Sequence, residues 1–145
     1  MTDTPTVAQA YDALRARLAG SSPLPVYWQN ENNTLPDTVA PFAFALFTTF
    51  GQQIASYGGG RGANRWRTQG DLEVFVFVPV GNGLAQALDY AEQIAALFRG
   101  QRFDGVSCED VVVDPHAAVP SSLLDASGNY YAANAVVAFY FDQIG

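Results

Sequence analysis

Lysine is absent from this chain. All of its basic residues are arginines, seven against fourteen acidic residues, for a formal net charge of −7 over 145 residues. An acidic chain without lysine is a poor general binder of nucleic acid, because that binding comes from neutralising phosphates with cationic side chains. Cysteine and histidine occur once each, as Cys108 and His116. A single cysteine excludes an internal disulfide framework and a cysteine-rich zinc site, and within "VSCEDVVV" it reads as a small buried hydrophobe. Charge of either sign is scarce, 14% of residues where about 25% is usual. A surface so poor in charge fits a protein that hides part of itself in partners. No run approaches the ~20 apolar residues that a membrane-spanning helix needs. Residues 1–20 lack the basic start and continuous apolar stretch of a signal peptide, so a chain that is cytoplasmic at synthesis is expected.

What the chain has in abundance is apolar side chains, 49% of residues, with ten Phe and seven Tyr. A chain of this length buries about 68–70% of its unfolded surface, which supports one domain, 1–145, with its own core. "TPTVAQAYDALRARLAG" predicts an opening helix within 1–20, with Thr4 as N-cap, Pro5 at the first helical position and Gly20 as the stop. Val7, Ala10, Tyr11, Leu14 and Leu18 form its apolar stripe. A short strand is expected at 25–29. A longer one is expected at 41–56, where Phe42, Phe44, Leu46, Thr48 and Phe50 alternate with Ala43, Ala45, Phe47 and Thr49. In "TQGDLEVFVFVPV", Leu72, Val74, Val76 and Val78 point one way and Phe75 and Phe77 the other, so both faces of that strand should be covered. "GLAQALDYAEQIAALFRG" predicts the main helix, 83–99, capped by Asn82 and ended at Gly100. Strands at 106–113 and 130–142 flank a long loop, 114–129. Hairpin-like neighbours with only two helices predict an α+β fold, a mostly antiparallel sheet packed with two helices.

The glycine-rich stretch "SYGGGRGANRWRTQGD" invites a phosphate-binding reading. A P-loop needs Gly-Lys-Ser/Thr feeding a helix, whereas this stretch has no lysine and feeds a strand. A dinucleotide fingerprint fails on the same order of elements. The turn "PVGNGLAQAL" does enter a helix N-terminus, which suits an anion, yet with so short a glycine pattern a plain capped strand-to-helix turn is the favoured reading. Near His116 there is no G-x-S-x-G nucleophile elbow. Asp104, Glu109, Asp110 and Asp114 lack the glycine and the spacing of a calcium loop and read as a solvated face. The expectation is therefore no catalytic residues, no metal and no cofactor. Residues 57–67 are expected to form a flexible Gly/Arg loop. Arg61, Arg65, Trp66 and Arg67 on it can be solubilising residues, a base-stacking patch or an arm ordered by a protein neighbour. The last is favoured, because Arg and Trp carry binding energy at protein interfaces. Trp28 and Asn30 join them as interface candidates.

Three stretches taken in order carry a resemblance. "VYWQNEN", Val26 to Asn32, comes first. "R-x-x-G-x-L-x-V-x-V", Arg67 to Val76, follows the Gly/Arg loop. "P-x-G-x-G", Pro79 to Gly83, then opens the main helix. Over residues 5–142 this order resembles the small tail terminator proteins of long-tailed bacteriophages and of phage-derived gene transfer particles. The resemblance implies a fold like that of tail tube subunits and a non-enzymatic, structural role. It implies a homohexameric ring that caps the tail tube, stops its polymerisation and meets a head-side connector. DNA would pass through the lumen without specific binding. The place implied is the virion or a virion-like particle, at the head–tail junction, after assembly in the host cytoplasm and with no membrane partner. Two alternatives stay open. One is a head–tail connector or neck component. The other is a small-ligand-binding α+β domain with an anion site at the 79–84 turn.

Overall fold

Two interleaved apolar sets, Leu72/Val74/Val76/Val78 and Phe75/Phe77, make a strand stable only when something covers each of its faces. In the computed structural model, which describes residues 4–31, 40–55, 60, 62–81, 83–115 and 130–144, these residues form the middle of a central strand. The elements in order are α1 (Val7–Ser21), β1 (Val26–Trp28), β2 (Phe42–Ile54), β3 (Arg65–Pro79), α2 (Ala85–Phe98), β4 (Arg102–Phe103), β5 (Val106–Asp114) and β6 (Tyr130–Ile144). They build one six-stranded sheet in the order β1-β2-β3-β6-β5-β4. Only β1 and β2 pair in parallel; every other neighbour is antiparallel. The fold is α+β with a mostly antiparallel sheet and two helices, as the sequence predicts.

Both helices lie on one face of the sheet. Leu14 and Leu18 of α1 and Ala91, Ile94 and Phe98 of α2 pack against Leu72, Val74, Val76 and Val78 in one buried cluster. Phe75 and Phe77 point away from the helices and form a second cluster with Phe42 and Ala132. Within it Phe42 stacks on Phe77 with ring centroids 4.8 Å apart and takes the edge of Tyr130 at 5.0 Å. Full burial of one such side chain stabilises the fold by roughly 1.5–3 kcal/mol. Arg17 ties α1 to the rest. Its Nε donates to the Leu97 carbonyl, an Nη donates to Gln101 Oε1 at 3.2 Å, and its guanidinium lies 4.6 Å from the Phe103 ring. Cys108 is buried and free, its thiol pushed up to about 12 by desolvation.

Several local expectations need correction. The N-cap of α1 is Thr6, not Thr4. Its hydroxyl accepts from Gln9 N–H at 3.1 Å while Gln9 Oε1 accepts from Thr6 N–H at 2.9 Å. This reciprocal capping box satisfies two helix-end donors, which a cap at Thr4, with Val7 at the third helical position, cannot do. The helix also runs past Gly20 to Ser21 and ends on an extended Ser22. In β2 the register shifts between Thr49 and Gly51, so Phe50 falls out of the alternation and is 61% exposed. A bulged residue is left unpaired and turns the strand locally. Strand β4 has no counterpart in the sequence reading. It pairs with β5 through Asp104 and Gly105, both at positive φ, +49° and +82°. Asp-Gly with both residues left-handed is the tight hairpin turn. The Asn82 cap, His116 and most of the 114–129 loop lie outside the described residues. At the start of α2 the N-cap position is held by Leu84, with no side-chain hydrogen bond. Among the described residues no helix is long and apolar enough to cross a membrane.

Gly70 sits where β3 passes Thr49 and Phe139. A Cβ there would lie 2.2 Å from the Thr48 carbonyl oxygen and 2.7 Å from the Phe139 ring. Phe139 is itself stacked on Phe47 at 5.4 Å, so it has little room to yield. Gly70→Ala should destabilise the fold by about 1–3 kcal/mol, the usual cost of overpacking. Denaturant unfolding checks this, and a midpoint equal to that of the parent chain would show that the strands spread without cost.

Candidate protein interface

The "RWR" triplet lies on a strand. The β2–β3 turn closes where Ala55 N–H donates to the Arg65 carbonyl at 2.7 Å. Arg65, Trp66 and Arg67 are the first residues of β3, in register with Ile144, Gln143 and Asp142 of β6. The expected 57–67 loop therefore stops before Arg65. The reason is tertiary: β6 runs to Ile144 and offers a ladder partner to every one of these residues, which outweighs the pull of the preceding glycines. Arg61 lies outside the described residues.

The three side chains then have different environments. Arg67 forms a bidentate pair with Asp142, Nε to Oδ1 at 2.9 Å and Nη2 to Oδ2 at 3.1 Å, and its guanidinium stacks 4.2 Å from the Tyr140 ring. This fork-to-fork geometry makes Arg67 a latch between β3 and β6. Arg65 is 56% exposed and its Nε is 3.9 Å from Asp142 Oδ2. It lines a cleft of about 450 Å³ together with Arg102, Asp104, Ser107 and Tyr140. Trp66 is half-buried and lines a shallower groove with Gln52, Gln143 and Ile144. Gln52 Nε2 spans the three strands there, donating to Thr68 Oγ1 at 2.9 Å and to Gln143 Oε1 at 3.0 Å. Ile144, at this end of β6, is 52% exposed.

The other two sequence candidates separate. Trp28 is buried, 3% exposed, with the Tyr11 ring edge-on at 5.7 Å and the Arg15 guanidinium at 5.1 Å. It belongs to the core: β1 is an edge strand, but Tyr11 and Arg15 of α1 close over this side chain and leave it unavailable to a neighbour. Asn30 is exposed in a left-handed turn, φ +55°, after β1. Beside it Glu31 pairs with Arg15, which holds the Glu31 carboxyl below its usual range. The sequence reading missed the cleft altogether. Its signal was "RFDGVS", since an Asp-Gly between two strand-like pairs announces the hairpin that carries Arg102.

The sheet face away from the helices also carries buried polarity. Asn134 is 4% exposed; its Nδ2 donates to Glu73 Oε2 at 2.7 Å, and its Oδ1 has no partner among the described residues. Burial raises the Glu73 carboxyl above its ordinary value, the Asn134 bond offsets part of that, and the charges of Asp71 and Asp114 add to it. Burial alone raises Asp71. Among the described residues no three such groups converge on a metal site. The 79–84 turn forms a cavity of about 280 Å³ lined by Val80, Gly81, Gly83, Leu84 and Tyr131, with no cationic side chain among those described.

The raised Glu73 value fixes a pH dependence. The folded chain holds the Glu73 proton more tightly than the unfolded chain does. Stability from this group is thus complete below the unfolded value, about 4.3, and is lost as pH rises through the folded one. Glu73→Gln should therefore raise stability at pH 7, with the gain closing as pH falls towards about 4. Thermal melts across that range check it, and a gain that does not depend on pH contradicts the burial of this charge.

Comparison with known proteins follows from this architecture. No curated protein matches the chain significantly. Among solved structures, one chain covers 90% of this chain and 87% of its own length at 19% identity, with a TM-score of 0.54, a likeness of fold. The family model described as phage tail terminator protein matches residues 9–131, which takes in every element from α1 through the start of β6. The chain belongs to the phage tail terminator protein family.

Proposed function

We propose that this chain works as a ring of identical copies, six as its likeness to terminators of long-tailed phages implies. The ring caps the tail tube, stops its polymerisation and meets the head-side connector, without catalysis. The observation that carries this reading is the mismatch in length between sheet and helices. β3 and β6 are fifteen residues each, about 50 Å at 3.3 Å per residue. α2 is fourteen residues, about 21 Å at 1.5 Å per residue. The ribbon thus outruns its helices. It exposes Phe50 and Ile144 towards one end and Val80 and Leu84 at the other. Separate apolar patches on one chain are what a heterologous, ring-closing contact uses.

Arg65, Trp66 and Asn30, with Arg61, contact the neighbouring copy, the tube or the connector in this reading, while Arg67 acts through its latch. Each copy brings a formal charge of −7, so the assembled lumen repels DNA and lets it pass without specific binding. The place is the head–tail junction of a virion or virion-like particle, assembled in the host cytoplasm.

The Arg65→Ala, Trp66→Ala double variant should fold, as judged by circular dichroism, and yield abnormally long tails or tailless heads in electron micrographs. Tails of normal, uniform length would remove Arg65 and Trp66 from the interface. Particles lacking the chain that stop their tails correctly but fail to join heads would favour the neck-component reading instead.

A further inference from the structure

A six-stranded sheet has two edges, and here neither end strand covers the long strand beside it. β1 pairs with β2 only from Ala43 to Ala45, and beyond it Gln29 Oε1 accepts the Phe47 N–H at 2.7 Å. From Thr48 to Ile54 no strand among the described residues pairs with the outer side of β2. All of this stretch except Ile54 is exposed. Ala55 turns its N–H inward to the Arg65 carbonyl, so by alternation the backbone groups of Gln52 and Ile54 face outward. Such a row is a template for pairing with another chain, and sheets commonly blunt it with charge or proline. The segment "TTFGQQI" has neither. Its bulge at Thr49–Gly51 leaves Phe50 61% exposed on the open edge.

The opposite edge is built differently. Residues 100–103 cover β5 as far as Glu109. Cys108 N–H donates to the Gln101 carbonyl at 2.8 Å, and Gly100 N–H donates to the Glu109 carbonyl at 3.1 Å. Arg99 reaches the Val111 carbonyl from the same side at 3.5 Å. The backbone of Val111 therefore faces outward, and by alternation so does that of Val113. Glu109, Asp110 and Asp114 place acids along this edge, so two β5 edges repel each other. The neutral edge of β2 offers no such repulsion. Val112, at the centre of the uncovered part, is 62% exposed.

We propose that the open edge of β2 in one copy pairs with the outer edge of β5 in a second copy of this chain, so that the sheet runs on from copy to copy. This contact rests on the ring reading and names one of its joints. Three observations select β5 as the occupant. The two edges lie on opposite sides of the sheet, so they cannot meet within one copy and their union is heterologous. β2 and β5 run in opposite directions, separated by antiparallel steps through β3 and β6. Copies laid side by side in one orientation thus bring them together as an antiparallel pair. Each edge also exposes an apolar residue, Phe50 and Val112, and an aromatic against a β-branched side chain is a stabilising cross-strand pair. The end strands set the offset. Within one copy Val112 lies level with Leu46, through Val136 and Glu73. To meet Phe50 the neighbour shifts along the strands by about four residues, about 13 Å at 3.3 Å per residue. A stagger of this kind is what a sheet needs to close on itself.

Hydrogen exchange tests the pairing without any substitution. The amides of Gln52, Ile54, Val111 and Val113 should exchange at least about tenfold more slowly in isolated tails than in the monomeric chain, as expected when open backbone groups gain hydrogen bonds. Equal rates overturn the contact and leave the ring standing. Gln52→Pro and Gln52→Ala both lose the side-chain bonds to Thr68 and Gln143, but only the proline also loses an outward N–H, at no cost to the ladder with β3. Gln52→Pro should enter tails at least about tenfold less than Gln52→Ala, and equal incorporation of the two counts against the pairing. Should the proline variant fail to fold, the exchange rates of the parent chain still decide. In tails, Phe50→Cys with Val112→Cys should oxidise to a ladder of linked copies, with buried Cys108 not competing. No ladder, or linked pairs from Phe50→Cys alone, overturns β5 as the occupant. Tails that hold a single copy of the chain overturn the ring, and the contact with it.

Discussion

The ladder between β3 and β6 carries the rest of this molecule. Fifteen residues of each strand pair without a break, from Arg65 with Ile144 to Pro79 with Tyr130. Every other element is placed by reference to it. β2 and β5 extend the sheet on either side. α1 and α2 cover the valines of its middle, and Phe42, Phe77 and Tyr130 close the opposite face at one end. Because side chains alternate with a period of two, a slip of one residue would send Val74 and Val76 to the polar face and Glu73 into the helices. The register is held by that penalty, by the close passage of Gly70 beneath Phe139, and by the fork of Arg67 on Asp142 near the far end.

One face of that ladder changes character along its length. Near Pro79 it is aromatic; at its centre it holds Asp71, Glu73 and Asn134; near Ile144 it turns to Arg65, Arg67 and Tyr140. The central acids remain despite the cost that their raised proton affinities record. A sheet selected only for stability would replace them with apolar residues, as charged groups gain little from such partial burial. Their retention is what a surface shaped by assembly rather than by folding alone would show.

The large periodic features were legible from the residues. The two-sided apolar pattern of 72–78 and the helical stripe ending at Phe98 placed the middle of the central strand, and α2 within two residues at each end, and with them the α+β class. What sequence reading lost was decided by distant partners. Arg65 to Arg67 look like loop beside their glycines and become strand only because β6 continues past them. Trp28 reads as an exposed anchor until Tyr11 and Arg15 from α1 close over it. The Arg102 hairpin is the exception, since Asp104-Gly105 is a local signal that the reading passed over. Thus Trp28 and Arg67, two of the interface candidates, have structural duties, while Arg102, which faces solvent, was not among them.

The same length mismatch that exposes the ends of the ribbon also constrains how copies can associate. A twofold pairing would set one surface against itself: the outer stripe of α2, with exposed Asp89 and Glu92, would face like charge. Like charges directly opposed across an interface cost free energy and suppress that arrangement. A head-to-tail contact instead sets two different surfaces together and leaves each used once per copy. Such contacts propagate until they close or run on as filaments. In the proposed ring, closure is the useful outcome, because a closed ring has no free contact surface left to recruit another copy in its plane. In the proposed reading, growth is then blocked along the tube axis by whatever the ring presents there.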